Sequence, residues 1–191
     1  KRDYPRLAEY DALFIRETTS IEDHTYRFSK KAESEGLVVI DDPDSILRCT
    51  NKVYLAELLK ANEVPTPKSL ILQKDNLHKL ENEIPYPVVL KIPDGSFSRG
   101  IFKAHSQQEV TNISNDLFKD SDIILAQEYL YTPFDWRIGI LNRKPIYACQ
   151  YFMSGEHWQV VQHDTDSGSP TEGGSRTFPI EKGPKEVVKI A

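Results

Sequence analysis

The chain has little cysteine and no long apolar run. Its two cysteines, Cys49 and Cys149, lie far apart and fit neither a CxxC metal motif nor a disulfide framework, which favours two reduced thiols. No run of about 18 uncharged apolar residues could cross a bilayer, and the first residues contain no apolar signal core. We therefore expect no membrane contact and a cytoplasmic location.

The charged residues are dispersed and slightly acidic in sum. There are 24 Lys and Arg against 29 Asp and Glu, a formal net charge of −5 in 191 residues. A surface for duplex nucleic acid neutralises phosphates with clustered Lys and Arg, and the sequence has no such cluster. Any anionic ligand should therefore be small and locally recognised. The oligomeric state cannot be predicted from these features.

The two ends of the chain resemble pieces of larger elements. Strands predicted at 11–17 and 37–41 flank a polar helix at 24–34, a fragment too small to be a domain by itself. At the other end, Pro184 begins a helix that stops after about two turns. These features predict a chain truncated at both ends, with 1–48 as the end of a preceding α/β region.

The middle of the chain has the most regular pattern. A helix beginning near Thr50 is followed by the order β-α-β-β-α-β, which predicts an α+β fold with both helices on one side of a small sheet. Residues 106–109 form a capping box for the second helix of this block. The predicted strands are at 69–72, 87–92, 100–104 and 123–130, and the first helix of the block is predicted to begin at Asp75.

A second antiparallel sheet is predicted after this block. Strands at 135–141 and 145–152 alternate with period two around the turn NRKP, and 157–162 could add a third strand. The segment 163–176 is rich in Gly, Ser, Thr and Asp, which predicts a mobile loop. The domain prediction is thus a lid subdomain at 49–131 and the start of a second, incomplete subdomain at 132–191.

Lys91 interrupts the apolar run VVLKI just before a loop of small residues. Moving an ammonium out of water costs several kcal/mol unless an anion compensates. A salt bridge, for example with Glu128, or a lysine that snorkels to water would explain Lys91 alone. The loop that follows favours a phosphate clamp, because its glycines permit close approach and its N–H and hydroxyl groups are donors, although a structural hairpin turn could use the same residues. It contains Gly95, Ser96, Ser98 and Gly100.

Two further segments could belong to the same site. Residues 127–130 (QEYL) end a strand, where unpaired backbone groups can read the edge of an adenine, although an ordinary strand end would look the same. In DWR, the period of two puts Asp135 and Arg137 on one strand face. These two side chains could simply pair, or Asp135 could bind a sugar or a lysine while Arg137 binds a transferring phosphate.

Taken in order, five segments resemble the ATP-grasp superfamily, and within it the RimK-type α-L-glutamate ligases. The segments are TNK (50–52), VVLKIPDGSFSRG (88–100), IILAQEYL (123–130), DWR (135–137) and the glycine pair of TEGGS (171–175). The resemblance implies an ATP-dependent ligase that forms a C–N bond through an acyl phosphate, with ATP between two α+β subdomains. Its implied substrates are a carboxylate and an amine, such as a protein C-terminus and glutamate, or a small-molecule acceptor.

The resemblance also implies roles for individual residues. Arg137 would stabilise the phosphate or acyl phosphate, Arg176 would contact substrate, and Mg²⁺ or Mn²⁺ would be held by ligands beyond residue 191. The residues implied in ATP binding are Lys52, Lys91, Gly95, Ser96, Ser98, Gly100, Gln127, Glu128, Tyr129, Leu130 and Asp135.

The sequence departs from the family pattern at several positions. No Glu-x-Asn metal pair occurs after residue 170, Tyr151 stands where a basic residue is expected, and Glu172 precedes the glycine pair in place of His or Arg. A non-catalytic ATP-binding or regulatory module therefore remains an alternative. A βαββαβ interaction or RNA-binding domain is disfavoured by the acidic charge balance and by the lack of adjacent exposed aromatics on the central strands.

Overall fold

A computed structural model describes residues 2–94, 100–155, 158–163 and 170–191 of the chain. The described residues divide into two compact units. The first contains residues 2–94 and 102–128, and the second contains residues 100–101, 129–155, 158–163 and 170–191. The predicted domain limits at 48 and 131 stay predictions.

The first unit begins with an α/β fragment. After a 3₁₀ helix at Tyr4–Glu9 come strands β1 and β2 on either side of helix α1, an order that the sequence predicts, and the two strands pair in parallel. Polar side chains begin the helices: Asp23 caps α1, Asp42 caps α2 and Asn51 caps α3. The elements are β1 (Ala12–Phe14), α1 (His24–Ser34), β2 (Val38–Ile40), α2 (Pro43–Thr50) and α3 (Lys52–Ala61).

The second part of this unit is the predicted β-α-β-β-α-β block. Its elements are β3 (Ser69–Leu72), α4 (Leu80–Glu83), β4 (Val88–Lys91), β5 (Ile101–Ala104), α5 (Gln107–Leu117) and β6 (Ile124–Glu128). The four strands form one sheet in the order β3-β6-β4-β5, and β6 is antiparallel to both of its neighbours. Ser106 caps α5 by accepting from Glu109 N–H, which confirms the predicted start of that helix.

The two faces of this sheet differ in chemistry. Leu72, Val88, Leu90, Ile124 and Ala126 occupy one face and are fully buried, together with Leu80 of α4 and Val110 of α5. Because side chains alternate along a strand, the intervening residues face the other way. That second face, called here the polar face, carries Ser69, Val89, Lys91, Leu125 and Gln127.

The second unit contains a three-stranded antiparallel sheet. Its strands are β7 (Phe134–Leu141), β8 (Lys144–Phe152) and β11 (Ser175–Pro179), in the order β11-β8-β7. Between them in sequence, β9 (Val161–His163) and β10 (Pro170–Glu172) pair with each other. The chain ends in a 3₁₀ turn at Ile180–Lys182 and helix α6 (Lys185–Ile190), for which Pro184 is the N-cap.

Several sequence-based expectations are wrong in detail. The third strand of the second sheet is β11, because β9 pairs with β10 instead. The predicted loop at 163–176 contains β10 and the start of β11, and residues 164–169 lie outside the described part of the chain. The helix expected from Asp75 is a 3₁₀ turn at Leu77–Lys79 followed by one α turn, and α2 was not predicted.

Gly173 is required by a close approach of two backbone segments. Its N–H donates to the Val160 carbonyl at 2.9 Å, and a Cβ built at Gly173 would lie 1.9 Å from the Phe152 carbonyl oxygen. Gly174 differs, since a Cβ there would meet nothing within 4 Å. Only the first glycine of the pair is therefore dictated by packing.

Gly173→Ala should destabilise the protein by about 1–3 kcal/mol, the usual cost of overpacking, because backbone rather than a flexible side chain must move. Gly174→Ala is the matched control and should change stability by less than about 0.5 kcal/mol. Urea denaturation measures both free energies of unfolding. Equal losses in the two variants would contradict the close-approach explanation.

Two buried serines offer a second matched test. Ser29 in α1 and Ser114 in α5 are both 0% exposed, but only Ser29 has a partner, the Asp41 carbonyl at 2.7 Å. The Ser114 hydroxyl makes no hydrogen bond with any described residue. An unsatisfied buried hydroxyl is destabilising, and alanine also has the higher helix propensity.

Ser114→Ala should therefore raise the free energy of unfolding by about 1 kcal/mol, whereas Ser29→Ala should lower it by a similar amount. Both positions lie inside helices, so the propensity change is common to the two variants. Thermal or urea denaturation measures the sign of the change in the free energy of unfolding for each variant. A loss of stability in both variants would show that Ser114 has a structural partner.

Candidate functional site

Lys91 lies at the end of β4 on the polar face and contacts Gln127 of β6. Its ammonium donates to Gln127 Oε1 at 2.6 Å, and Gln127 Nε2 donates to Ser69 Oγ at 2.9 Å. Ser69 in turn donates to the Pro67 carbonyl at 3.0 Å. Three strands thus contribute one hydrogen-bonded row that fixes the orientation of the Gln127 amide.

The ammonium lies among apolar neighbours. In the register of the sheet, Lys91 is opposite Leu125 and Val89 is opposite Gln127, and both Leu125 and Val89 are buried. A neutral amide satisfies a lysine hydrogen bond without cancelling its charge. The Gln127 amide therefore orients the Lys91 ammonium at the end of β4, next to the glycine loop.

Glu128 does not supply the salt bridge considered for Lys91. Alternation along β6 places it on the opposite face from Gln127, and its carboxylate accepts from Lys68 N–H at 2.8 Å. The Glu128 N–H donates to the Lys68 carbonyl at 2.9 Å. Glu128 therefore ties the start of β3 to the end of β6.

The N-terminus of α3 is attached to the residues that lead into the glycine loop. Lys52 N–H and Nζ both donate to the Pro93 carbonyl, at 2.9 and 3.4 Å. Asn51 Oδ1 caps α3 through Val53 and Tyr54 N–H, while its Nδ2 donates to Asp94 Oδ1 at 3.0 Å. Two connections therefore place Lys52 close to the end of β4, where Lys91 lies.

Burial lowers the pKa of Lys52, and the nearby Asp94 carboxylate opposes this shift. Desolvation disfavours the charged form of a lysine, so the folded protein holds this ammonium at a cost. An anion bound next to Lys52 would reduce that cost. Lys52 and Lys91 together make the end of β4 suited to an anionic ligand.

Part of the predicted phosphate loop lies outside the described residues. Gly95, Ser96 and Ser98 fall in that part, whereas Gly100 is described and has φ +65°. This left-handed backbone conformation favours glycine, which gives Gly100 a structural reason to be present. The role of these four residues in binding phosphate stays a prediction.

The second unit contains Asp135, Arg137 and Arg176. Asp135 accepts from Thr132 Oγ1 at 3.3 Å, and the Arg137 guanidinium lies over the Tyr151 ring, 4.2 Å from its centroid. In the register of the sheet, Arg176 is opposite Gln150 and Arg137 is opposite Cys149. Because Gln150 and Cys149 are adjacent on β8, these arginines project from opposite faces of the sheet. Arg176 stacks on Phe178 at 4.9 Å, and a ligand lying on one face could not contact both arginines.

The segment predicted to read adenine belongs to both units. Gln127 and Glu128 end β6 in the first unit, and Tyr129 and Leu130 begin the second. Tyr129 packs edge-on against Trp158 with ring centroids 6.0 Å apart, and Leu130 is 57% exposed. Gln127 accepts from the Lys91 ammonium at 2.6 Å.

Among the described residues, His, Cys, Asp and Glu side chains form no group of three or more that could hold a metal ion. No helix in the described part of the chain is both long enough and apolar enough to cross a membrane.

The contacts of three site residues depend on segments that are distant in sequence. Strand register places Ser69 beside Gln127, and it places Tyr151, noted in the sequence only as a departure from the family pattern, beside Arg137. The hydrogen bond between Asn51 and Asp94 links residues 43 positions apart. A polar residue on an otherwise apolar strand is the signal that could have identified Ser69.

The chain belongs to the family of proteins with a RimK-like ATP-grasp domain, whose family model matches residues 49–147. Among curated relatives, the α-aminoadipate–LysW ligase LysX of Saccharolobus solfataricus is 33% identical over 118 residues, which are 58% of this chain and 42% of the relative. The tetrahydromethanopterin:α-L-glutamate ligase of Methanocaldococcus jannaschii is 24% identical over 92% of this chain and 61% of the relative. The chain thus spans about half the length of these relatives.

Solved structures show the same fold. A RimK-domain ATP-grasp protein from Sphaerobacter thermophilus has a TM-score of 0.63 at 14% identity, over 95% of this chain and 78% of that one. D-alanine–D-alanine ligase from Bacillus anthracis, in complex with ATP, has a TM-score of 0.64 at 16% identity, over 98% and 59%. The α+β ATP-grasp fold expected from the sequence is confirmed.

Lys52→Met should leave the ligand-free protein at least as stable as the parent at neutral pH. Since burial lowers the folded-state pKa, the cost of Lys52 is greatest below that pKa and disappears as the pH rises towards the unfolded value of 10.5. The stability difference between parent and variant should therefore shrink from pH 7 to pH 10. Urea midpoints at both pH values measure it.

Lys119→Met is the matched control, because Lys119 and its ion-pair partner Asp116 are both exposed. An exposed ion pair contributes little to stability, so the control should change the free energy of unfolding by less than about 0.5 kcal/mol at both pH values. A clear loss of stability in Lys52→Met at pH 7 would contradict the proposed burial cost.

Proposed function

We propose that this chain binds ATP as part of a ligase that joins a carboxylate to an amine. The substrate carboxylate attacks the γ-phosphorus of ATP and releases ADP, giving an acyl phosphate. The amine then attacks the acyl carbon, inorganic phosphate leaves, and the amine loses a proton as the C–N bond forms. The chain's membership of the RimK-like ATP-grasp family supports this reaction class.

The observation that carries the proposal is the pair of partly buried lysines at the end of β4. Lys91 donates to the Gln127 amide, and Lys52 donates to the Pro93 carbonyl and has its pKa lowered by burial. Both lie next to residues that lead into a glycine-containing loop. Triphosphate oxygens would offset the desolvation of these ammoniums and accept their hydrogen bonds.

The remaining sequence-based assignments become part of the same proposal. The loop residues Gly95, Ser96, Ser98 and Gly100 would donate to phosphate oxygens, and residues 127–130 would read adenine through backbone groups. Asp135 would bind the ribose, and Arg137 would stabilise the transferred phosphate. A guanidinium suits this last role because it forms bidentate hydrogen bonds with phosphate oxygens.

The names of the relatives support an amino-acid substrate. Three of them are α-aminoadipate–LysW ligases, and others are α-L-glutamate ligases of coenzyme F420 and of tetrahydromethanopterin. α-Aminoadipate and glutamate both contain an amine and two carboxylates. We propose an amino acid of this kind as one substrate and a carboxylate on a protein C-terminus or a small molecule as the other.

Lys91→Met should weaken ATP binding about 10- to 100-fold, the range expected when a hydrogen bond from a charged group is lost. Isothermal titration of the chain with ATP and MgCl₂ measures this change. Lys119→Met removes an exposed lysine in the turn after α5 and should leave the affinity unchanged. A folded parent that binds no ATP would contradict the proposal.

Turnover separates the ligase from a non-catalytic ATP-binding module. ADP release that requires both a carboxylate acceptor and glutamate or another amine would support the ligase. Binding of ATP without such release by the same protein would favour the binding module. Far-UV circular dichroism of each variant verifies that a loss of binding does not arise from unfolding.

A further inference from the structure

Asp135 and Arg137 project from the same face of β7 but do not form an ion pair. Residues two apart on a strand are separated by about 6.6–6.8 Å, a distance that an arginine side chain can span. No hydrogen bond or ion pair joins the two within the described part of the chain, although both side chains are exposed. Something other than distance keeps the opposite charges apart.

Each side chain is bound to a different neighbour. The Asp135 carboxylate accepts from Thr132 Oγ1 at 3.3 Å. The Arg137 guanidinium instead stacks on Tyr151 at 4.2 Å, which is within the range of a cation–π interaction. In the register of the sheet Tyr151 is opposite Asp135, so the arginine crosses diagonally from its own partner Cys149 to reach the ring.

Stacking determines which part of the guanidinium stays accessible. The ring occupies one flat face of the group, while the N–H donors lie in its plane and point outward from the edge. A bidentate acceptor such as a phosphate approaches along that edge. An ion pair with Asp135 would occupy the same donors and cancel the charge.

We propose that Tyr151 is a positioning residue for Arg137. Its ring orients the guanidinium, withholds it from Asp135 and leaves its edge available to phosphate oxygens. The proposal rests on the proposed function, in which Arg137 stabilises the transferred phosphate. The tyrosine hydroxyl has no part in this arrangement, so phenylalanine should replace Tyr151 and an aliphatic side chain should not.

The position of Tyr151 in the sheet allows substitution without loss of the fold. It is only half-buried, and its cross-strand neighbours Asp135 and Ser175 are exposed, so Leu fits without filling or emptying a core. Tyr151→Phe keeps the ring and removes only the hydroxyl. These two variants separate the effect of the aromatic face from that of packing volume.

The first test observes Arg137 directly, without any ligand. The ring should shift the ¹H–¹⁵N signal of Arg137 Nε by its ring current, and Arg137→Gln assigns that signal. We expect Tyr151→Phe to retain the shift and Tyr151→Leu to abolish it and to increase the mobility of the side chain. An unchanged signal in Tyr151→Leu would overturn the proposal whether or not the chain binds ATP.

The second test compares ATP with ADP by titration calorimetry. If Arg137 binds the terminal phosphate of ATP, Tyr151→Leu should weaken ATP binding about tenfold, the loss expected for one charge-assisted hydrogen bond. The same variant should change ADP binding less than twofold, because ADP lacks that phosphate. Tyr151→Phe should match the parent. Tyr151→Leu combined with Arg137→Gln should be no weaker than Arg137→Gln alone, because both changes remove the same contact.

The outcomes distinguish the two proposals. A parent chain that binds no ATP refutes the proposed function, while the NMR comparison still decides whether Tyr151 orients Arg137. Normal ATP binding in Tyr151→Leu, or additive losses in the double variant, refutes the positioning role and leaves the proposed function intact.

Discussion

The antiparallel pairing of β4 with β6 is the constraint on which the first unit depends. It sets Lys91 diagonally beside Gln127 and therefore supplies a neutral partner for an ammonium that lies among Val89 and Leu125. A shift of one residue in this register would turn Lys91 towards the buried helices and bring Val88 and Leu90 out of the core. The hydrophobic core and the position of the charge are thus fixed by the same set of backbone hydrogen bonds.

The attachment of α3 adds a second cation to the same place. Asn51 caps α3 and also donates to the Asp94 carboxylate. One side chain therefore begins the helix and fixes the position of Asp94, which follows β4. The Pro93 carbonyl accepts from both the backbone and the side chain of Lys52. Local helix capping and the arrangement of the candidate site are therefore inseparable at this point.

Patterns that act within one segment predicted most of the fold. The capping box at Ser106, the alternation of β7 and β8 and the apolar run of β4 each depend on nearby residues, and each element formed as expected. Two errors involved short segments. Helix α2, whose cap Asp42 and first-turn Pro43 are ordinary start signals, was not predicted, and the helix near Leu80 is only one turn long.

Features that depend on pairing between distant segments could not be predicted in the same way. The residues of 157–162 and 170–179 do not indicate which of the two segments pairs with β8. Both contain short strands, and which strand pairs with β8 depends on the path of the intervening chain. Gln127 was correctly singled out, but its partner Ser69 lies 58 positions earlier in the sequence. The salt bridge with Glu128, one alternative considered for Lys91, does not form, because adjacent residues of a strand face opposite ways and only Gln127 lies beside the lysine.

The two faces of the β3-β6-β4-β5 sheet have a consequence for how such a protein can change over evolutionary time. Alternate residues of β3, β4 and β6 form the core, and the polar row of Ser69, Gln127 and Lys91 lies on the other face, beside the buried Val89 and Leu125. Substitutions within the polar row can therefore change the chemistry of that face while leaving the core residues in place. A lineage could vary those three positions without first acquiring compensating changes in its interior.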